Sequence, residues 1–292
     1  MKERVNIYQK IITVGCTMSI HSEWKILKGK NGNINAYISS IEPVSEPRPT
    51  VIVIQEMWGV DAHIQEVTER FAAAGYVAIS PDLFAENGVR PEELSVERMA
   101  DAKSFLHAIP HTAWFNSVER EAAILKQPDE KQEYLSATLT TLFGIFDPNK
   151  SERFLSIIED TADYARNIFG KTKGMAVASI GFCLGGALSA ALATRDPKHA
   201  GSIVFYGRPP HDNVASIQCP VLGFYGGEDH NITKLVPDFE EEMKKNGKSF
   251  EAIVYPNGQH AFYNDTNPTY NSRYARDAFA RSLSFLNRVT SV

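Results

Sequence analysis

The segment Gly181-Phe182-Cys183-Leu184-Gly185-Gly186 sets a cysteine between an apolar run and a helix-forming stretch, with a glycine two positions to either side. A nucleophile carried on a sharp strand-to-helix turn takes a strained backbone, so the residues two positions before and after it must be small. Gly181 and Gly185 meet that demand. Such a turn aims the Cys183 thiol out of a sheet at a helix N-terminus, where unpaired N–H groups and the helix dipole favour a thiolate. The N–H of Leu184 would then point toward an acyl oxygen, as one half of an oxyanion hole. A buried structural cysteine beside a glycine-rich helix start would use the same residues, so the motif needs partners.

Partners are present in a telling order. In acyl-cleaving enzymes with this kind of elbow, nucleophile, acid and histidine follow one another along the chain, the last two on loops after strands. Asp229 lies in Gly226-Gly227-Glu228-Asp229 after an apolar run ending at Tyr225, and His260 lies in Asn257-Gly258-Gln259-His260-Ala261-Phe262 after one ending at Tyr255. His260 would act as base toward Cys183 and later activate water, with Asp229 fixing its tautomer and orientation. Glu228, His230 and Asp238 are nearby competitors that suit the surface better. Tyr206 and Arg208 follow another strand onto the same edge and are candidate substrate-binding residues. Cys219, next to Pro220 and an apolar run, reads as inert packing. His107, His111 and Trp114 either overhang the site or form a polar helix face. No cluster of His, Asp and Glu has metal-ligand spacing, so neither a metal nor a cofactor is expected.

These residues need a sheet to bring them together, and the pattern supplies one. Residues 50–55 (TVIVIQ) form a short β-branched run, the mark of a strand buried on both faces. Asp61 can cap a following helix whose Ile64, Val67, Phe71 and Ala74 share a face and which Gly75 ends. Further strands are predicted at 76–80, 174–180, 202–206, 221–225 and 250–255, with helices at 185–195, 234–246 and 270–288. Residues 24–28 and 33–40 alternate about Gly29-Lys30-Asn31-Gly32 and read as two strands joined by a turn. Strands alternating with helices imply an α/β fold, a mostly parallel sheet covered by helices on both faces. Residues 87–172 lack any alternating run. Leu94, Met99, Phe105, Leu125, Leu139, Leu142, Phe154, Ile157 and Ile158 fall there at helical spacings, so a long helical insertion is expected, either a cap over the sheet's carboxyl edge or extra packing beside it. The chain thus reads as a short N-terminal extension, 1–23, and a single α/β domain, 24–292.

Composition sets outer bounds. The chain has 292 residues, 43% of them apolar and 22% charged, which is ordinary for a globular protein able to bury a core without staples. A net charge of −5 argues against general affinity for nucleic acid or anionic membrane. Three cysteines with no CxxC spacing argue against a disulfide framework and for a reducing cytoplasm. Ile11 to Cys16 faintly imitates a lipoprotein cleavage site, but the preceding apolar run is too short and is broken by Gln9 and Lys10. No stretch approaches the roughly 18 apolar residues of a membrane span.

Five segments together carry a family likeness. Gln55-Glu56-Met57-Trp58-Gly59-Val60, Pro81-Asp82-Leu83-Phe84, the cysteine motif, Tyr225-Gly226-Gly227-Glu228-Asp229 and Gly258-Gln259-His260-Ala261-Phe262 resemble, in order and approximate spacing, the dienelactone hydrolases (carboxymethylenebutenolidases) of the α/β-hydrolase superfamily. The likeness covers 24–86 and 174–288 and fails over the insertion. It implies that Glu56 sits beside Cys183 and helps switch it between thiol and thiolate, and that the Met57 N–H completes the oxyanion hole. It also exposes a departure. The family holds a substrate carboxylate with two arginines, and by position those places here carry Glu86 and Asn264. Neither can replace an arginine fork, although Arg208 or Arg90 could reach in from another direction. The expectation is a cofactor-free hydrolase of a small neutral ester or lactone, working through Cys183, His260 and Asp229 and a cysteinyl acyl-enzyme. A thioesterase or general carboxylesterase is the nearest alternative, and a non-catalytic ligand-binding or redox-sensing protein on the same fold is one of a different class.

Overall fold

The computed structural model describes residues 18–291; the lipoprotein-like segment ending at Cys16 lies outside them. Eight strands form one sheet in the order β1-β2-β4-β3-β5-β6-β7-β8. The hairpin β1 (Ser19–Lys28) and β2 (Asn33–Glu42) runs antiparallel and pairs with the edge of β4 (Val77–Pro81). From β4 onward, β3 (Thr50–Ile54), β5 (Val177–Phe182), β6 (Ser202–Phe205), β7 (Val221–Gly226) and β8 (Phe250–Tyr255) are all parallel. β1 begins five residues before the expected 24, because pairing runs the whole length of β2, from Ser19 opposite Glu42. The apolar pattern cannot reveal this on an edge strand whose Ile20, Trp24 and Ile26 stay exposed. β5 is also displaced: Phe182, paired with Phe205, extends it to the residue before Cys183.

Side-chain alternation sorts the central strands into two cores. From β3, Ile52 and Ile54 face one side and Val51 and Val53 the other, all fully buried. On the second side α1 (Ala62–Ala73) and α10 (Ser272–Thr290) contribute Ile64, Val67, Phe71, Ala278 and Phe285. Asp61 caps α1 by accepting the Ile64 N–H at 3.1 Å. On the first side lies α7 (Leu184–Arg195), with α9 (Val236–Lys245) beside it over β7. Each such aliphatic side chain taken from water contributes roughly 1.5–3 kcal/mol, which is why strands this short are held so firmly.

Between β4 and β5 the chain is helical: α2 (Val96–His107), α3 (His111–Trp114), α4 (Ser117–Ile124), α5 (Asp129–Phe143) and α6 (Pro148–Asn167), with only an isolated bridge from Glu86 to Val89. These helices do not form one unit. α6 packs on α7 and against β3, β4 and β5, so it belongs to the layer that covers the sheet. The added part is α2 to α5, whose buried residues Met99, Phe105, Leu135, Leu139 and Leu142 join the same core as Trp58 and Leu184.

Candidate active site

Cys183 stands between β5 and α7 with φ 53° and ψ −111°, a left-handed backbone that no ordinary residue adopts without strain. The glycines around it are there because backbone is. A Cβ on Gly181 would lie 1.8 Å from the Gly185 carbonyl oxygen, and one on Gly185 would lie 2.3 Å from that of Ile54. The Cys183 N–H is tied to the Phe205 carbonyl at 3.0 Å. The turn thus leaves the thiol partly exposed at the N-terminus of α7, while Cys219 is sealed, and burial pushes its thiol up to about 12.

Asp229 and His260 come from the loops after β7 and β8, which touch backbone to backbone. A Cβ on Gly226 would meet the Gly258 carbonyl at 2.4 Å, and one on Gly227 the Pro256 carbonyl at 2.3 Å. That closeness places Asp229 Oδ2 2.5 Å from His260 Nδ1. Thr269 donates its hydroxyl to the His260 carbonyl at 2.6 Å and so holds the loop on its far side. Burial works against a charged His260 ring, but the neighbouring Cys183 sulfur and the Asp229 carboxylate outweigh it and raise the imidazole well above its ordinary value. An imidazole so placed accepts a proton readily at Nε2 and keeps Nδ1–H directed at Asp229.

Glu56 is buried at the end of β3 with both oxygens occupied: Tyr206 donates its hydroxyl to Oε1 at 3.0 Å and Asn264 its amide to Oε2 at 2.6 Å. Tyr206 is fully buried, and burial together with the Glu56 charge holds its phenol far above the usual range. It donates to Glu56 and is not among the residues that line the cavity described below. Arg208 is exposed and lies outside the cavity described below. Glu86 is exposed too, 3.8 Å from Lys150, on a different cleft. Arg90 is bound to Asp82 at 2.5 Å.

A cavity of about 740 Å³ opens beside Asp229 and His260. The loops give it Glu228, His230, Asn267 and Thr269, and the added helices give it Leu106, His107, His111 and Trp114. The aromatic part of that wall is keyed to the Glu56 loop, since Trp58 meets both His107 and Trp114 edge-on with centroids 5.8 and 5.9 Å away. Among the described residues, no lysine or arginine lines this cavity. None forms a metal-binding cluster, and no helix among them is long and apolar enough to cross a membrane.

The profile of the dienelactone hydrolase family matches residues 34–290 of this sequence. The chain belongs to the dienelactone hydrolase family. It is a hydrolase of the ester- and lactone-cleaving kind. A Saccharolobus solfataricus protein provisionally named carboxymethylenebutenolidase is 33% identical over 259 residues, 88% of this chain and 95% of its own. A Yersinia pestis protein with the same provisional name is 27% identical over 284 residues, 93% of this chain and 90% of its own. A Klebsiella pneumoniae crystal structure, provisionally named dienelactone hydrolase, superposes with a TM-score of 0.69 at 24% identity, covering 92% of this chain and 99% of that one. That superposition shows the shared α/β-hydrolase fold. The sequence pattern singles out Cys183, Asp229 and His260, and the family resemblance adds Glu56; all four follow the carboxyl ends of strands. It missed the pairing of Asn264 with Glu56, because an asparagine four residues past a histidine carries no signal of its own.

Proposed function

We propose that this dienelactone hydrolase relative cleaves a small neutral ester or lactone through a cysteinyl acyl-enzyme. The observations that support the reading are the strained Cys183 elbow, the Asp229–His260 pair on loops at the same sheet edge, and the electrostatic influence of the Cys183 sulfur on His260. His260 takes the thiol proton, and the Cys183 sulfur attacks the acyl carbon. The resulting oxyanion accepts hydrogen bonds from the N–H groups of Leu184 and Met57, neither of which donates to another group among the described residues. As the tetrahedral centre collapses, the imidazolium hands its proton to the departing alkoxide. Water then enters, gives a proton to His260 and attacks the thioester; the sulfur leaves and recovers the proton, and the acid product departs. Asp229 accepts the Nδ1–H and holds the ring in the productive tautomer.

A cavity whose walls bear Glu228 and Asp229 but no lysine or arginine supports a neutral substrate, since a carboxylate would enter without a guanidinium or ammonium partner. The aromatic wall of Trp114, His107 and His111 supports flat or apolar acyl and alcohol groups. The test is Cys183→Ala assayed on short-chain aryl esters and lactones. Turnover should fall by several orders of magnitude with the fold intact, and iodoacetamide should label Cys183 in the wild type and spare Cys219. Near wild-type turnover in Cys183→Ala would remove cysteine catalysis, whereas no turnover by the wild type on any of these esters would return a binding or sensing role on the same fold.

A further inference from the structure

Glu56 is a buried carboxylate whose partner Tyr206 also lies near Cys183 and His260, and what holds it reaches back to the added helices. Its two donors are neutral, the Tyr206 hydroxyl and the Asn264 amide. The orientation of Asn264 is dictated from its other end. The Thr266 N–H, which can only donate, lies 2.9 Å from Asn264 Oδ1, so the oxygen must face Thr266 and the NH2 must face Glu56. The Thr266 hydroxyl lies 2.7 Å from the same oxygen and 2.8 Å from the Lys103 ammonium. An ammonium can only donate, so the hydroxyl accepts from Lys103 and turns its own proton onto Asn264. Proton directions therefore run one way, from Lys103 through Thr266 and Asn264 to Glu56. Glu56 Oε2 thus accepts from an amide whose own direction is fixed, which holds that oxygen as an acceptor.

Lys103 is built into this position. It sits on α2 within one turn of Leu106 and His107, which line the cavity. It pairs with Asp61 at 2.9 Å and lies 5.5 Å from the centre of the Trp58 ring. Its side chain is 16% exposed. One ammonium thus grips the cap of α1, the loop that carries Glu56 and Met57, and the loop that follows His260.

We propose that Lys103, Thr266 and Asn264 are positioning residues that fix the orientation of Glu56 beside the Cys183 elbow. This rests on the proposed cysteine mechanism only in what Glu56 acts upon. The groups facing Glu56 are Tyr206 and Asn264, with Cys183 and His260 next to Tyr206; those facing Lys103 are Asp61, Thr266 and His107. Loss of a link leaves Glu56 free to turn, and the field felt at the sulfur changes with it.

The experiment measures the rate of Cys183 alkylation by iodoacetamide against pH, alongside kcat and KM, in Lys103→Met, Thr266→Val, Thr266→Ser and Asn264→Asp. Alkylation needs no ester turnover, so it separates this proposal from the catalytic one. Thr266→Val and Lys103→Met should move the alkylation midpoint by at least half a pH unit and lower kcat about tenfold with KM within twofold. Thr266→Ser, which keeps the hydroxyl, should restore wild-type behaviour. Asn264→Asp sets a second carboxyl against Glu56, so one of the two must hold a proton and a new ionisation should enter the profile. Unchanged alkylation midpoints in Lys103→Met and Thr266→Val, with circular dichroism confirming that both are folded, would overturn the proposal. So would a loss in Thr266→Ser equal to that in Thr266→Val.

Discussion

A histidine far from the cavity should set the acid limit of this protein's stability. His199 lies beneath β5 and β6 with its side chain fully buried. Its Nε2 is 2.9 Å from the Ser179 hydroxyl, which also meets those of Ser189 and Ser202, and its Nδ1 has no partner among the described residues. Asp196, itself bound to Arg166, stands 4.0 Å from Nδ1. Ser179, His199 and Asp196 imitate a hydrolytic set, yet Ser179 and His199 are buried away from any substrate, and their role is structural. Burial lowers the His199 pKa from 6.5 to about 4, with Asp196 opposing and Arg166 assisting. Above pH 6.5 the ring is neutral whether the chain is folded or not, so it adds no pH dependence. Below that the unfolded chain binds a proton that the native ring refuses, and stability falls until the native ring also titrates near pH 4. About two and a half pH units at about 1.4 kcal/mol each make about 3 kcal/mol, of which about 2 are lost by pH 5. The perturbation is His199→Gln, which can still bond Ser179 and cannot titrate. Urea unfolding of both proteins at half-unit steps from pH 8 to 4.5 gives the curves, and the carboxylates common to both cancel in the difference. The wild type should lose about 2 kcal/mol more than the variant between pH 7 and 5. Parallel curves would mean that the ring is charged or hydrated in the native state, and the reasoning from burial would fail.

Other outcomes follow from the site. Gly185→Ala would put a Cβ 2.3 and 2.5 Å from the carbonyl oxygens of Ile54 and Gln55, so β3 and α7 must part. It should cost about 1–3 kcal/mol in a thermal melt and remove most activity, because the Glu56 and Met57 loop shifts against Cys183. A matched pair of esters, alike except for a free carboxylate, should be cleaved with the higher kcat/KM for the neutral member at low salt. A clear preference for the anion would reveal a cationic contact outside the cavity walls and bring a dienelactone-like substrate forward.

Much of this enzyme is local in origin and was readable from the chain. The run TVIVI can only be a doubly buried strand, Asp61 before a 3.6-residue apolar stripe can only begin a helix, and a cysteine flanked at two positions by glycine demands a turn with backbone packed against it. The order Cys183, Asp229, His260 then follows from where strands end. The extent of β1 was less legible, because an exposed edge strand is specified by its partner's backbone and carries little apolar alternation. The division of residues 87–172 was hidden as well: periodicity reports a helix, and only packing says that α6 covers the sheet while α2 reaches the cavity.

What the sequence by itself determined is therefore the sheet, the elbow and the candidate reacting groups, all properties of short segments and their order. The tertiary structure alone decided the company that Glu56 keeps. Tyr206, Asn264, Thr266 and Lys103 are 150, 208, 210 and 47 residues away from it in the chain, and none belongs to a motif. Hydrogen bonds between such residues depend on positions and directions good to a few tenths of an ångström, which only the packed strands, loops and added helices can fix.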